Sequence, residues 1–520
     1  MSTWACNCNC KTLNMSLRVM TTLLFAAISA AAQTVLLNIP DAPPPGTQTL
    51  SGSFQGYSME VASFGDLAGN LSSPNKLSYH MLQNLKDISG AAVPIRVGGT
   101  TANHAIWTPD QEEAIIQNFA TPGADQPANV TWGPKYLESF KVFPRGTKYT
   151  IGVTFDSGKK GENSSATEAE AFYNGIGKDL FAIEVGNEFD AFPVDRNLTT
   201  WSITQYVPEW VSRTSAIASR VLPRKDRKIF QAGAFVSPGT ISEDVSWTAQ
   251  TAIDLGIDSN HLAKTWCTHN YFGAACRPIK PTLAGNLMNR TALIDAMDYH
   301  KDASAYTVSK GLPYVIGETN SIACQGLAGV SDVFGAAVWS VDYALYSASL
   351  NISNIYWHMG TGYRYSAWQA TQNGTTTPGP RPLYYGNWLI ATALGDSDAQ
   401  VVPIVNTTSL AGYAIYSGRR HRLELKSVVL VNMDVFNSSS TPAAQRPSVE
   451  FTMPQKLGGK NCKASVRRLT AAGAEVQEGI TFAGRTISPD GAIVGRETKE
   501  RIIDGVVNVK ASEVVMIMLD

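Results

Sequence analysis

The chain has 520 residues, too many for one ordinary hydrophobic core and enough for a barrel-sized domain with a smaller companion. Charged residues make up 16% and hydrophobic ones 44%, with 43 Gly and 26 Pro, a loop-rich globular composition that excludes the disordered and fibrous classes. A net charge of -1 provides no electrostatic case for nucleic acid or a heavily sulfated polyanion as partner.

The first segment reads as an address. From Met15 the chain runs through Arg18 into an apolar stretch, Val19 to Ile28, and then Ser29, Ala30, Ala31, Ala32 and Gln33. That is the charged start, apolar middle and small-residue cleavage site of a secretory signal peptide, so residues 1–32 are expected to be a leader and the protein secreted. The apolar stretch is well short of the ~20 residues that span a bilayer. The residues before Met15, with Cys6, Cys8 and Cys10, do not fit a signal opening and lack a partner histidine for a metal site, which favours an artefact of start-site choice. Thr34 to Ile39, ahead of the proline-rich Pro40 to Pro45, reads as an isolated strand within a segment 33–48.

Residues 49–398 alternate between two periodicities. Strands are predicted over Ser53–Glu60, Val93–Gly99, Lys148–Phe155, Leu180–Glu188, Lys228–Val236, Thr265–Phe272, Tyr314–Asn320 and Asn354–Gly360. Helical patterns lie between them, as in Asn75–Ile88, Ala166–Gly177, Thr204–Ser219, Ala284–Lys310 and Ser331–Leu350. Eight such alternations predict an α/β fold, a (β/α)₈ TIM barrel.

Two of these strands close on a glutamate: Glu184-Val185-Gly186-Asn187-Glu188 and Tyr314-Val315-Ile316-Gly317-Glu318. On the strand count Glu188 ends strand four and Glu318 strand seven. All strand C-termini of such a barrel share one rim, where barrel enzymes place their chemistry. Two carboxylates facing across a pocket are the minimal equipment for cleaving a glycosidic bond, and Asn187 adds an amide able to hold a sugar hydroxyl.

After about Ala391 short alternating runs take over, including Leu410–Tyr416, Leu423–Met433, Val449–Met453, Ala464–Leu469 and Val514–Leu519, separated by turn residues. They predict a C-terminal antiparallel β-sandwich over 399–520 that the strand at Thr34 could join. Asn-x-Ser/Thr acceptors stand at Asn70, Asn129, Asn163, Asn197, Asn289, Asn351, Asn373, Asn406 and Asn437, mostly in polar gaps, as N-glycans require. Of Cys267, Cys276, Cys324 and Cys462, the middle two follow two predicted strands and could bridge, although three pairings are open. The sequence has no metal-spaced His/Cys/Asp cluster, phosphate loop or Gly-x-Ser-x-Gly elbow, so no cofactor is implied.

The ordered set Gly56-Tyr57-Ser58-Met59-Glu60, Ile95-Arg96-Val97-Gly98-Gly99, Val185-Gly186-Asn187-Glu188-Phe189-Asp190, Thr268-His269-Asn270-Tyr271, Gly317-Glu318-Thr319-Asn320-Ser321, Tyr356-Trp357-His358-Met359-Gly360 and Pro382-Leu383-Tyr384-Tyr385-Gly386 resembles glycoside hydrolase family 79 from about Gly52 onward. That family includes β-glucuronidases and, more distantly, heparanases. The resemblance implies a TIM barrel whose C-terminal β-domain is completed by an N-terminal strand. It also implies Glu188 as acid/base and Glu318 as nucleophile of a retaining mechanism. Such a mechanism needs the two carboxyl groups ~5 to 5.5 Å apart; a separation near ~9 Å would mean inversion.

The resemblance assigns supporting roles as well. Tyr271 matches the tyrosine that hydrogen-bonds the nucleophile, and Glu60 a position that contacts sugar hydroxyls. His358 and Tyr365 match positions near the sugar, Tyr365 being placed to donate to its carboxylate. The loop after the nucleophile, Ser321 to Gly326, would supply backbone amides to that carboxylate, but lacks the tyrosine expected there. Arg96, inside an apolar strand, must find a counter-charge in Glu318 or another acid. His269 is expected to be a packed, hydrogen-bonded ring, because two carboxylates leave it no necessary role. Of Trp339, Trp357, Trp368 and Trp388 most should be core, with Trp357 or Trp368 as the pocket-lining choice. These readings lead to a secreted exo-β-glucuronidase acting on glucuronic or 4-O-methyl-glucuronic acid in glycans, with no nucleic acid or membrane partner. The alternatives are a heparanase-like endo-enzyme or another retaining β-glycosidase of the same clan, and, from a different class, a carbohydrate-binding barrel without turnover.

Overall fold

The computed structural model describes residues 34–519 except 122, 123, 125, 198, 223–227, 240–245, 375, 420, 421 and 459–463. The leader 1–32 with Cys6, Cys8 and Cys10, and also Cys462, lie outside the described residues.

Eight strands close into a barrel. In chain order they are Gln55–Glu60, Ile95–Gly98, Tyr149–Val153, Leu180–Val185, Phe230–Phe235, Ala263–Tyr271, Tyr314–Asn320 and Ile352–Met359, barrel strands 1 to 8. Each pairs in parallel with its neighbours, strand 8 closing on strand 1 through Ile355–Met359 against Gln55–Met59. Strands 1, 2, 3, 5 and 7 are buried along their whole length, as expected where side chains fill the interior and helices cover the outside.

The helices start and stop where local chemistry dictates. Lys76–Ser89 is capped by the Asn75 side chain, which accepts from Ser78 N–H, and ends at Gly90 in the left-handed conformation, φ 68°. The helix expected over 284–310 is two pieces: a π-helical turn Leu283–Leu287 and a helix Arg290–Ser309. Asn289 divides them because its side chain accepts from Ala292 N–H and so opens a new helix. A small sheet of Ala105–Trp107, Ile115–Asn118 and Asn129–Trp132 between barrel strands 2 and 3 was not foreseen. Its strands are too short to leave an alternation signal.

Two sheets make up most of the C-terminal region, beside a two-stranded ribbon of Thr486–Ile487 and Ile493–Val494. The larger contains Ala399–Asn406, Leu410–Arg419, Arg422–Asn432, Glu513–Leu519 and Ala464–Thr470 in antiparallel succession. The smaller sets Thr34–Leu36 beside Ser448–Thr452 and that beside Val506–Lys510. The N-terminal strand therefore does pair into this domain, in parallel. Leu37 and Ile39 enter its core.

Strict alternation gives the larger sheet two apolar faces. Tyr413, Ile415, Val429, Val431, Val514 and Met516 join the core that contains the barrel. Ala414, Tyr416, Val428, Leu430, Val515 and Ile517 face the smaller sheet. Among the described residues no helix is long and apolar enough to cross a membrane.

Candidate active site

The two glutamates meet at the mouth of the barrel. Glu188 follows strand 4 on a backbone turn whose first residue, Gly186, has φ 78° and no room for a side chain: a Cβ there would lie 2.8 Å from the Phe189 ring. Glu188 itself is left-handed, φ 56°, and its N–H donates to Ala234 O of strand 5 at 2.8 Å. Glu318 lies within strand 7, paired with His269 of strand 6. One carboxylate oxygen of Glu188, one of Glu318 and a ring nitrogen of His269 all lie within 4.8 Å of one another. Both carboxyl groups are buried, with 8% and 6% of each residue exposed.

Beneath them lies an ionic floor. Arg96, on strand 2 and fully buried, donates from Nη1 to Glu318 Oε2 at 2.7 Å and to Ser58 Oγ at 2.9 Å. Its Nε and Nη2 reach Glu184 Oε1 at 3.0 and 2.5 Å, and Nη2 also reaches Asn187 Oδ1 at 2.6 Å. The counter-charge is thus shared: Glu318 takes one side and Glu184, on strand 4, the other. Gln231 Nε2 donates to the second Glu184 oxygen at 2.7 Å.

Two glycines make room for this charge. A Cβ on Gly98 would lie 2.8 Å from Arg96 Cζ, and one on Gly99, at φ 85°, would lie 2.4 Å from Glu60 Oε2. The Ile95–Gly99 segment is therefore a strand that buries a cation and then passes an anion, with no side chain tolerated at either crossing.

The other wall comes from strands 1, 6 and 8. Tyr271 donates its hydroxyl to Glu318 Oε1 at 2.8 Å. His358 contacts Ser58 Oγ through Nδ1 at 2.9 Å and Glu60 Oε2 through Nε2 at 3.2 Å, with Glu318 Oε2 3.7 Å from Nδ1. Tyr365 stands against Tyr271, Tyr363 and His358, ring centroids 6.2, 5.7 and 6.1 Å away. Gly326, φ 84°, passes so close that a Cβ would lie 2.8 Å from Tyr365 N. Asn320 links strand 7 to both sides of this wall, donating to His358 O at 2.9 Å and Tyr365 O at 3.1 Å. A disulfide between Cys276 and Cys324 ties the loops after strands 6 and 7, Cα atoms 5.8 Å apart.

The environment divides the pair. Glu188 is pushed up to about 8, first by burial and then by the negative charge of Glu318. Burial acts on Glu318 too, but His358, His269, Arg96 and the Tyr271 hydroxyl outweigh it and hold that carboxyl well below the usual range. His358 is raised against the effect of its burial by Glu318 and Glu60. His269 is lowered to about 4 by burial. At neutral pH one carboxyl is thus biased towards its acid form and the other towards its anion.

Glu60, Arg96, Asn187, Tyr271, Gly326, His358 and Tyr365 all gather around Glu188 and Glu318. His269 is the packed, hydrogen-bonded ring expected, and the structure adds that its partner is the first glutamate: Nδ1 lies 2.8 Å from Glu188 Oε1, while Nε2 is buried without a partner among the described residues. The tryptophan choice is corrected. Trp357 and Trp368 are fully buried; Trp357 Nε1 donates to Gln55 Oε1 at 3.2 Å and Trp368 Nε1 to Ser78 Oγ at 2.8 Å. Strand alternation explains Trp357, since its neighbour His358 faces the pocket and consecutive side chains point to opposite faces. Sequence reasoning missed Glu184, Ser58 and Asn320; for Glu184 the signal was an acid inside an apolar strand, the same oddity that marked Arg96.

Among the described residues two clusters have metal-ligand geometry, Glu184–Cys267–His269 and Glu188–His269–Glu318. In the first, Glu184 is taken by Arg96 and Gln231, and burial pushes the Cys267 thiol up, away from the thiolate that binds metals. The second adjoins the Arg96 guanidinium, which repels a cation.

Comparison with known proteins gives concordant likenesses. Residues 412–516 match the model of the glycosyl hydrolase family 79 C-terminal beta domain. A beta-glucuronidase of Aspergillus niger is 33% identical over 462 residues, 83% of this chain and 82% of that protein. A beta-glucuronidase of Neurospora crassa is 31% identical over 518 residues, 90% of each chain. Among solved structures, a 4-O-α-L-rhamnosyl-β-D-glucuronidase from Fusarium oxysporum superposes with a TM-score of 0.79 at 25% identity, covering 93% of this chain and all of that one. A family 51 α-L-arabinofuranosidase from Bifidobacterium longum shares the fold alone, with a TM-score of 0.60 at 11% identity over 94% of this chain and 99% of that one.

Proposed function

The chain belongs to glycoside hydrolase family 79, and on that footing we propose that it is a secreted, exo-acting β-glucuronidase that retains anomeric configuration. Ionised Glu318 attacks the anomeric carbon while Glu188 gives its proton to the leaving oxygen. Water then cleaves the glycosyl ester of Glu318, with Glu188 as base. The observation that carries this reading is the pair itself: carboxylate oxygens within 4.8 Å of each other, one just after strand 4 and one near the end of strand 7, biased to opposite protonation states. That spacing favours the retaining geometry over the inverting one.

Arg96 keeps the nucleophile ionised and Tyr271 orients its second oxygen. Asn187, its amide oxygen held by Arg96, presents its NH₂ group to a sugar hydroxyl beside the anomeric centre. Tyr365, backed by Gly326, donates to the glucuronate carboxylate, while Glu60 and His358 take the hydroxyls on the far side of the ring. Exo action is supported by a bridge beside the site: Gln126 donates to the hydroxyl of Tyr363 at 3.1 Å, and the Tyr363 ring adjoins those of His358 and Tyr365. Secretion and N-glycosylation rest on the leader and on exposed acceptors at Asn70, Asn163, Asn197, Asn373, Asn406 and Asn437. The glycans acted on carry terminal glucuronic acid or its 4-O-methyl ether.

The test is hydrolysis of an aryl β-D-glucuronide beside the matching β-D-glucoside, with Glu318→Gln as control. Release from the glucuronide alone, at least ~10³-fold lower in the variant, is expected. NMR of the first-formed sugar should show the β anomer. The α anomer would overturn retention, and cleavage only inside longer oligosaccharides would overturn exo action.

A further inference from the structure

One short turn touches both sides of the sugar pocket. Thr100–His104, a 3₁₀ turn, follows Gly99 at the end of strand 2. Thr101 donates from its N–H and hydroxyl to Glu60 Oε1 at 2.8 and 2.5 Å. Two residues on, Asn103 is 3% exposed and commits its whole amide to one backbone residue: its Oδ1 accepts from Asn187 N–H at 2.9 Å and its Nδ2 donates to Asn187 O at 2.8 Å. Thr154 of the strand 3 end donates to Asn103 O at 3.3 Å.

The geometry points to Asn103 as the positioning residue of the acid/base, an inference that rests on the reading of Glu188 in that role. Asn187 N–H and O belong to the two peptide planes on either side of Asn187, and the second plane ends in Glu188 N–H, which is bonded to Ala234 O at 2.8 Å. Asn103 on one side and strand 5 on the other therefore fix the plane from which Glu188 departs. They hold it at φ 56°, a left-handed conformation in which a non-glycine side chain crowds its own backbone. The far end of the turn is pinned as well, by Val236 N–H donating to both Asp190 oxygens at 3.0 and 3.1 Å. Without the Asn103 amide the Asn187 peptide planes are free to turn, Glu188 relaxes towards an ordinary backbone conformation, and its carboxyl leaves the glycosidic oxygen. Asn103 acts only through the Asn187 peptides, so any loss of the Asn187 contact weighs on every substrate alike, and the part of the loss that grows with a poorer leaving group reports proton transfer.

Proton donation matters most when the leaving group is poor. The experiment compares full-length protein and the Asn103→Ala variant on dinitrophenyl and phenyl β-D-glucuronides, with Glu188→Ala as reference and thermal melting as a check on folding. For Asn103→Ala the expected result is a fall of about 10²-fold in kcat/KM on the phenyl substrate and a far smaller fall in kcat/KM on the dinitrophenyl substrate, kcat/KM being read because it reports the first step, before Glu188 acts as base. Should alanine not fold, Asn103→Ser keeps a polar group against the same peptide and is read in the same way. Equal losses on both substrates, or none, while Glu188→Ala shows the leaving-group dependence, would overturn the role of Asn103. If Glu188→Ala lacks that dependence, the acid/base reading falls and the proposal with it.

Discussion

At the residue scale the site is governed by charges that cannot reach water. Arg96 is the only buried cation that both Glu184 and Glu318 contact among the described residues, so Arg96→Ala takes from two buried carboxylates the guanidinium they share. Breaking a buried ion pair in this way costs about 3–5 kcal/mol, and the variant should melt markedly lower as well as lose activity. A melting point within a degree of the parent would contradict the burial described. Glu188 sets the alkaline limb of the rate. It must carry a proton to serve as acid, and its raised value of about 8 predicts a kcat/KM that holds through neutrality and falls above pH ~8, an apparent value that belongs to the pair. On the acid side Glu318 remains ionised below the ordinary carboxylate range, so no limb near 4.5 is expected from it. A pH profile with its alkaline limb below pH 6 would show that the environment of Glu188 is more polar than its burial implies.

At the element scale the helices are fastened to the barrel by polar contacts as well as apolar ones. Helix Gly158–Ile176 presents Glu168, 1% exposed, to the end of strand 3, where its Oε2 accepts from Thr154 N–H at 3.0 Å. Burial pushes this carboxyl up from 4.5 to about 8. Between those values the folded chain keeps a proton that the unfolded chain has released. Its contribution to stability is therefore complete below 4.5 and is lost as pH rises through about 8. Glu168→Gln removes that slope, so melting curves taken from pH 5 to pH 9 should show the variant gaining on the parent as pH rises. Parallel curves would refute it. Thr154 also bonds Asn103 O, so the same strand end carries a helix anchor on one side and the positioning turn on the other.

At the scale of the whole molecule, barrel and β-domain share a core. Helices Phe334–Ser349 and Pro382–Leu394 are almost wholly buried, and their apolar cluster continues into Tyr413, Ile415, Val429 and Met516 of the larger sheet. A buried network crosses the same junction: Arg290 Nε donates to Asp342 Oδ2 at 3.0 Å and Nη1 to Thr407 O at 3.0 Å, while Tyr413 donates to Asp342 Oδ1 at 2.5 Å. The chain crosses at Leu50 and Ala399, which exchange both backbone hydrogen bonds, 2.8 and 3.0 Å, where the barrel begins and ends. Calorimetry should therefore show one unfolding transition for barrel and β-domain together. Two resolved transitions would mean that the shared core does not couple them.

The strand periodicity, the glutamate at the end of strand 4 and the glutamate in strand 7 were legible from residues alone, because a barrel brings every strand's C-terminal end to one rim whatever the loops do. So was the join between the N-terminal strand and the β-domain, since a lone apolar run must find an edge. Tertiary structure alone decided how the charges are partnered. Glu184 and Glu318 share one guanidinium because strands 2, 4 and 7 point inward at the same depth, and His269 reaches Glu188 because strand 6 stands next but one to strand 4, across strand 5. Asn103 could not be found from its neighbours in sequence, as its partner lies 84 positions away and is backbone, which leaves no trace in residue type. Sequence specifies which groups a strand carries inward; only the closed barrel determines which of them come within hydrogen-bonding distance, because those distances are set by strand register and tilt and by the turns that follow the strands.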